Sequence, residues 1–427
     1  MNYEVPALTS ESGGFKTGSN SAARYQPEIL SLEAKSNGHP VVIVQIQYRL
    51  GAFGFLASDD LASEHASLSS SPDTEGKSAT FFGNFGLIDQ RNAFEWVQNH
   101  IQDFGGDPSN VTAMGLSAGS GSLHMHILGG DPLFDRAILM SGSAPMMGPL
   151  PLEIFQAKWN ILCQKAGILE DPSEKRLGHL RALSPDALMQ ISGSATIPPM
   201  ADGKLLSKSW TLGDSQPASR CKEVIVGDSR VEAIIFDPLV RHIPQKLFNQ
   251  IVSTAFAEPS DAEKFCKYFG FTSEEQPYEQ FRDAVRFFLS TIIFHFPNLR
   301  VAETYSGKTY LYHFEEPSPY PGPTNGLPVH GQCAVFMYGN DKGAWPESAH
   351  RTSAEMAKLW TTFAHGKEPW APYESSKHFM RFGPHGEHGL KTSGIDKIRD
   401  YEYLDWLRAH FEEASSLVFK LEYGLAR

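Results

Sequence analysis

Basic residues and long apolar runs are both scarce in this sequence. Lys and Arg number 37 against 49 Asp and Glu, which gives a formal charge of -12, whereas a nucleic-acid partner requires basic surface to neutralise phosphates. No apolar stretch approaches the ~20 residues that a membrane-spanning helix needs. From the sequence we therefore expect no nucleic-acid partner and no membrane-spanning helix. Its 41% hydrophobic and 20% charged residues are typical of a globular protein.

Cysteine is also rare, with four residues scattered along the chain at positions 163, 221, 266 and 333. They form no CxxC pair and no metal-ligand spacing, so the sequence predicts no metal site. Buried free thiols are the expected state, and one long-range disulfide stays open as the alternative. The first 15 residues show no basic segment followed by an apolar one, so no signal peptide is visible. Compartment and oligomeric state are left open.

Segments typical of strands and helices alternate along the chain. Apolar, β-prone runs predict strands at 41–48, 111–114, 137–140, 223–226 and 309–314, and apolar residues at helical spacing predict a helix over 87–97. This order indicates an α/β protein with a mostly parallel central sheet flanked by helices. No linker or break in composition divides the chain. We therefore expect a single domain, 1–427, with helical cap-like insertions at about 151–220 and 236–301.

A Gly-Leu-Ser-Ala-Gly stretch at 115–119 follows one of these strands directly. Gly-x-Ser-x-Gly between a strand and a helix is typical of the sharp turn that displays a nucleophilic serine. A serine hydroxyl is a poor nucleophile by itself and needs a base, a group that orients the base, and N–H donors for the oxyanion. The pattern predicts Ser117 as nucleophile and the amide of Ala118 as one oxyanion donor. A merely flexible turn is the alternative.

Candidates for the acid and the base follow two later strands. Asp228 and Glu232 come after the strand at 223–226, and His330 lies in a Pro/Gly-rich loop after the strand at 309–314. The order serine, acid, histidine on separate strand-end loops is that of the α/β-hydrolase triad. The order alone does not choose between the two carboxylates.

Four further stretches carry a family resemblance: YRLGAFGFL at 48–56, GNFGLIDQR at 83–91, FGGDP at 104–108 and SGS at 141–143. With the serine turn, they resemble the type-B carboxylesterases and lipases, which are cholinesterase-like α/β-hydrolases. The resemblance implies an α/β-hydrolase fold and hydrolysis of a small-molecule carboxylic ester through an acyl-serine intermediate. It implies no cofactor and no metal. A serine peptidase of similar fold is disfavoured by the first two stretches.

The resemblance also implies roles for single residues. The family's acid lies five residues after the glycine that ends its strand, which selects Glu232 over Asp228. The family's histidine begins a His-Gly stretch that ends in an aromatic residue and Gly, which selects His330. The implied triad is therefore Ser117, Glu232 and His330.

The family's remaining oxyanion donors come from a His-Gly-Gly-Gly-Phe loop, and this chain has ESGGF at 11–15 in its place. Gly13 and Gly14 match the second and third glycines, whereas Glu11 and Ser12 depart from the pattern. Family members usually carry several more strands before this loop, so we expect an N-terminally shortened chain without those strands. A catalytically impaired or non-catalytic binding protein is the competing hypothesis.

Two smaller expectations concern charged and imidazole side chains. Arg49 and Asp89 lie in the two most family-like stretches and are expected to form a buried ion pair. His124 and His126 are two residues apart on a predicted helix, so they should point to different faces and not share a metal.

Overall fold

The computed structural model describes residues 13–69, 82–130, 133–193, 197–206, 211–212, 219–393, 399 and 401–421, together with the backbone of 7–8. The strands are β1 Ala7–Leu8, β2 Val44–Gln45, β3 Thr112–Leu116, β4 Arg136–Met140, β5 Glu223–Ser229, β6 Lys308–Phe314, β7 His378–Phe382 and β8 His388–Thr392. The α-helices are α1 Glu28–Ser36, α2 Gly51–Phe55, α3 Asp59–Ser69, α4 Phe85–His100, α5 Ala118–Leu128, α6 Leu152–Lys165, α7 Ser173–Ala182, α8 Pro185–Ser192, α9 Asp237–Val240, α10 Gln245–Ser253, α11 Pro259–Phe269, α12 Tyr278–Ser290, α13 Phe296–Thr304, α14 Gln332–Tyr338, α15 Glu347–Ala364, α16 Tyr373–Ser376, α17 Tyr401–Ala409 and α18 Phe411–Phe419. A π-helix, Thr291–His295, joins α12 to α13.

Within these residues the central sheet has six strands in the order β3-β4-β5-β6-β7-β8. The strands β3 to β7 are parallel, and β8 pairs antiparallel with β7. Helices connect successive parallel strands, as parallel pairing requires. The predicted α/β class, with a mostly parallel sheet flanked by helices, is confirmed.

The strand predicted at 41–48 is much shorter in the structure. Of the run at 41–48, only Val44–Gln45 is a strand, and it pairs in parallel with Ala7–Leu8 in a separate two-stranded sheet. Most side chains of the run are only partly buried. Apolar, β-branched residues indicate strand propensity, but a strand extends only where a partner backbone accepts its hydrogen bonds.

Helices occupy the two segments expected to be cap-like insertions. Within 151–220 lie α6, α7 and α8, and within 236–301 lie α9 to α13 with the π-helix. The organisation of 1–427 as one domain stays a prediction.

Side chains alternate across the two faces of the sheet. On β4, Ala137 and Leu139 join an apolar cluster with α4, α12 and α18, whereas Ile138 and Met140 join a second cluster with α14 and α15. Full burial of each large apolar side chain stabilises the fold by about 1.5–3 kcal/mol. Because β3, β4, β5 and β6 are parallel, their carboxyl ends lie side by side at one edge of the sheet.

A third apolar cluster fixes the turn at residues 13–17. Phe15 is 1% exposed, and its ring lies 5.0 Å from that of Phe55 in α2. Its carbonyl accepts a hydrogen bond of 2.7 Å from the amide of Gly51. The same cluster contains Ala118, the first residue of α5. The glycine turn is therefore anchored to the stretch at 48–56 and packs with the start of α5.

We expect Phe15→Ala to lower the free energy of unfolding by about 3–5 kcal/mol, because it empties a fully packed aromatic position. Phe104→Ala is the matched control, since Phe104 is 61% exposed and its loss should change stability by no more than about 0.5 kcal/mol. Urea denaturation of both variants measures the difference. Equal stabilities would contradict the anchoring role of Phe15.

The two histidines of α5 reach different elements, as their spacing predicts. His124 Nδ1 accepts a hydrogen bond of 3.1 Å from the amide of Ala144, after β4. His126 Nε2 lies 3.0 Å from Gln90 Oε1 in α4, and an amide oxygen can only accept, so Nε2 carries the proton. The two imidazoles therefore contact different parts of the structure.

Burial, reinforced by Arg91, lowers the pKa of His126 to about 4. The unfolded chain binds this proton near pH 6.5, so the contribution of His126 to stability is complete above about pH 6.5 and is lost as pH falls toward 4. Between pH 7 and 4 the wild type should lose up to about 3 kcal/mol more unfolding free energy than His126→Gln. Parallel stability profiles in denaturant would disprove this assignment.

Candidate active site

Ser117 occupies the turn between β3 and α5 with φ of 56°, a left-handed conformation that is strained for a residue with a side chain. Its amide donates a hydrogen bond of 2.8 Å to the carbonyl of Met140. A Cβ on Gly115 would lie 2.5 Å from the carbonyl carbon of Gly119. A Cβ on Gly142 would lie 2.4 Å from the Ser117 carbonyl oxygen. The glycines therefore permit the close approach that this turn requires, as the Gly-x-Ser-x-Gly pattern predicts.

Glu232 is fully buried, and both of its carboxylate oxygens accept hydrogen bonds. Oε1 accepts from Ser141 Oγ at 2.7 Å and from the amide of Ser229 at 2.5 Å. Oε2 accepts from His330 Nδ1. Since a carboxylate requires such donors when it is buried, the hydrogen bonds fix both the position of Glu232 and the orientation of the imidazole.

The loop that carries His330 is attached to the loop of the acid and lies against the strand of the serine. The amide of His330 donates to the carbonyl of Val231 at 3.2 Å. A Cβ on Gly331 would lie 3.4 Å from Cδ2 of Leu116, the residue before Ser117. Nε2 of His330 is buried and has no hydrogen-bond partner among the described residues. The structure therefore joins His330 to Glu232, whereas Nε2 forms no hydrogen bond to the Ser117 hydroxyl.

Asp228, the alternative acid, is paired elsewhere. Its Oδ1 lies 2.9 and 2.8 Å from Nε and Nη2 of Arg399 and 3.1 Å from Nδ1 of His313. Burial raises the pKa of Asp228, but the guanidinium of Arg399 and the imidazole of His313 outweigh burial, and the pKa lies well below its usual range. The structure thus brings Glu232, and not Asp228, into contact with His330.

The residues expected to supply oxyanion donors lie in two places. Ala118 is the first residue of α5, where backbone amides have no partner within the helix. Gly13 and Gly14 lie in the turn that Phe15 anchors, and Gly14 has φ of 52°. Glu11 and Ser12, which depart from the family's pattern, lie outside the described residues.

The ion pair between Arg49 and Asp89 forms, with two side-chain contacts of 2.8 Å and a third bond of 3.0 Å from the Arg49 amide. The hydrogen bonds to Asp89 raise the pKa of Arg49. The pair is not buried as expected, since the Arg49 side chain is 50% exposed. It ties the start of α2 to α4 at the protein surface.

The cysteines are free thiols, so the long-range disulfide that the sequence left open is not formed. Burial raises the pKa of Cys221 and Cys333 to about 12. Among the residues that the structure describes, no group of three potential ligands could hold a metal ion. In the same part of the chain, no helix combines the length and apolarity needed to cross a bilayer.

Sequence reasoning missed several groups around the acid. Ser141 lies in the SGS stretch that carried the resemblance, so a signal for it existed. The Ser229 amide gave no signal, because any residue type supplies an amide. His295 and Phe294 lie in a π-helix, and the ring of Phe294 is 5.1 Å from that of His330. The residue types at these positions do not indicate a π-helix, so these contacts have no signal in the sequence.

Comparison with known proteins agrees with the motifs. The model of the carboxylesterase family matches residues 11–397. Lipase 3 of Yarrowia lipolytica is 25% identical over 410 residues, which cover 94% of this chain and 74% of that protein. Carboxylesterase 1D of Rattus norvegicus is 25% identical over 460 residues, covering 97% of this chain and 75% of that protein. Cholinesterase of Mus musculus is 28% identical over 392 residues, covering 82% and 60%. The chain belongs to the carboxylesterase family and is a carboxylic-ester hydrolase.

Proposed function

We propose that Ser117, Glu232 and His330 hydrolyse a small-molecule carboxylic ester through an acyl-serine intermediate. The observation that carries this proposal is the buried Glu232–His330 pair, whose Nε2 has no hydrogen-bond partner among the described residues and whose loop lies against Leu116, the residue before Ser117. The strained turn at Ser117 supports it independently, because strained backbone is typical of functional sites.

In the first half-reaction, His330 Nε2 takes the hydroxyl proton as Ser117 Oγ bonds to the ester carbonyl carbon. The tetrahedral intermediate collapses, the bond to the alcohol oxygen breaks, and His330 returns the proton to the leaving alcohol. In the second half-reaction, His330 deprotonates a water that attacks the acyl carbon. The acid is released, and Ser117 recovers its proton.

Glu232 keeps the imidazole in the reactive tautomer and stabilises its protonated form. Hydrogen bonds from Ser141 and Ser229 occupy Oε1, so Oε2 is reserved for His330. A carboxylate without these two donors could rotate and leave the imidazole unsupported.

The amides of Ala118, Gly13 and Gly14 are the proposed donors to the oxyanion. The start of α5 supports the first assignment, since free amides and the helix dipole favour negative charge there. The packing of Phe15 with Ala118 in one cluster supports the other two. Loss of one oxyanion donor typically reduces the rate on the order of 10²–10³.

A non-catalytic binding protein is disfavoured as the alternative. All three side chains are present, and the Glu232–His330 hydrogen bond is formed. A protein that only binds has no need of a strained serine turn or of a buried carboxylate aligned on an imidazole.

Replacement of the nucleophile, Ser117→Ala, should reduce hydrolysis of p-nitrophenyl acetate on the order of 10⁴-fold or more. Ser109→Ala, at an exposed serine before β3, should retain wild-type turnover. Release of p-nitrophenol measures both variants. Activity that persists in Ser117→Ala would overturn the assignment.

The two carboxylates should respond differently to amide substitution. We expect Glu232→Gln to lower kcat on the order of 10³–10⁴-fold, because an amide no longer holds the imidazole in its tautomer. Asp228→Asn should instead lower the unfolding free energy by about 1.5–3 kcal/mol, since it removes a charged partner from Arg399 and His313 while Glu315 still pairs with Arg399. Its kcat per folded molecule should stay within about tenfold of the wild type. The reverse order in kcat would reassign the acid.

A further inference from the structure

Residues 290–295, which we call the strap, contact the loop that carries Glu232. The strap comprises Ser290, the last residue of α12, and the π-helix Thr291–His295. A π-helix adds a residue to a helical turn, and such bulges are frequent at functional sites. All six residues are buried.

The strap contacts the acid loop on both sides of Glu232. Ser290 Oγ accepts a hydrogen bond of 3.0 Å from the amide of Ala233. His295 Nε2 lies 3.0 Å from the carbonyl oxygen of Ser229. A carbonyl oxygen only accepts, so Nε2 of His295 carries the proton. Residues 229 and 233 are thereby fixed from the same helical segment.

Ser229 connects His295 to the catalytic acid. Its amide donates to Glu232 Oε1 at 2.5 Å, and its carbonyl accepts from His295. Without the imidazole donor, this carbonyl would be buried with no side-chain partner from the strap, and the loop would relax to satisfy it. The amide on the other side of the same residue would then lose its alignment with Oε1.

Burial lowers the pKa of His295 and favours a neutral imidazole near pH 7. The carboxylates of Asp228 and Glu232 and the hydrogen bond to Ser229 raise this pKa, and Arg399 lowers it, without reversing the direction. A neutral imidazole holds the loop without introducing a positive charge that would compete with His330 for the Glu232 carboxylate.

We propose that His295 is a positioning residue for ester hydrolysis, which holds Glu232 in place through the carbonyl and amide of Ser229. This inference rests on the proposed function, because it assumes that Glu232 supports His330 during catalysis. In this proposal His295 affects the reaction only by keeping Glu232 in position.

The test compares His295→Gln with His295→Asn. The Gln amide can place a donor near the former Nε2, whereas the shorter Asn side chain cannot reach the Ser229 carbonyl. We expect His295→Asn to lower kcat for p-nitrophenyl acetate about tenfold with KM unchanged, and His295→Gln to stay within about twofold of the wild type. Wild-type kcat in His295→Asn would overturn the proposal.

Tyr305→Phe is the control for a loss of stability alone. The Tyr305 hydroxyl donates to the carbonyl of Cys221 at 2.8 Å, so this change also removes a buried donor to a backbone carbonyl, at the opposite end of α13. Thermal unfolding midpoints should fall by similar amounts in Tyr305→Phe and His295→Asn. Equal losses of kcat in these two variants would show that His295 acts only on stability.

A double-substitution cycle shows whether His295 acts through Glu232. The rate of covalent labelling by a fluorophosphonate is measured for His295→Asn in the wild type and in Glu232→Gln. We expect about a tenfold effect in the first background and less than about twofold in the second. Equal effects in both would overturn the proposal, whereas a wild type that is not labelled would contradict the proposed function instead. If His295→Asn does not fold, His295→Phe, which fills the space without a donor, replaces it in the cycle: a tenfold effect that disappears in Glu232→Gln supports the proposal, and equal effects overturn it.

Discussion

The buried carboxylate of Glu232 is the constraint on which the proposed active site depends. A charge in this environment would destabilise the fold by several kcal/mol if its oxygens had no donors. The donors come from the ends of three different strands: Ser141 after β4, Ser229 at the end of β5, and His330 after β6. Satisfying this one side chain therefore brings three strand-end loops together. The same hydrogen bonds that make the burial of Glu232 tolerable also set the direction of the imidazole.

The sheet makes that convergence possible. Leu116 on β3 pairs with Met140 on β4, Met140 with Gly227 on β5, and Gly227 with Tyr312 on β6. The register places Ser117 and Ser141 at matching positions, each just after its strand. Asp228 continues β5 and is occupied by Arg399, which stabilises the strand end beneath the site. Asp228 and Glu232 are only four positions apart but have different partners. Asp228 lies within β5, whereas Glu232 lies in the loop that follows the strand.

Much of this arrangement could be predicted from sequence. The helix expected at 87–97 is α4, and the spacing of the Gly-x-Ser-x-Gly stretch led directly to the strained turn at Ser117. Predictions of strands failed where the pairing partner, and not the local sequence, decides whether a strand forms. The run at 41–48 has strand propensity but little pairing, and β8, with a sequence HGLKT, has too few apolar residues to indicate a strand. No local pattern indicates the π-helix at Thr291–His295, whose His295 contacts Ser229, a residue distant in sequence.

The central claim is that Ser117 is a nucleophile activated by the imidazole that Glu232 holds. Mass spectrometry of peptides from protein treated with a fluorophosphonate tests it most directly, because the adduct reports both the residue attacked and its reactivity. The account predicts one adduct per chain, on the peptide that contains Ser117, and its loss from His330→Ala under the same conditions. An adduct on another serine, or equal labelling of the His330 variant, would contradict it.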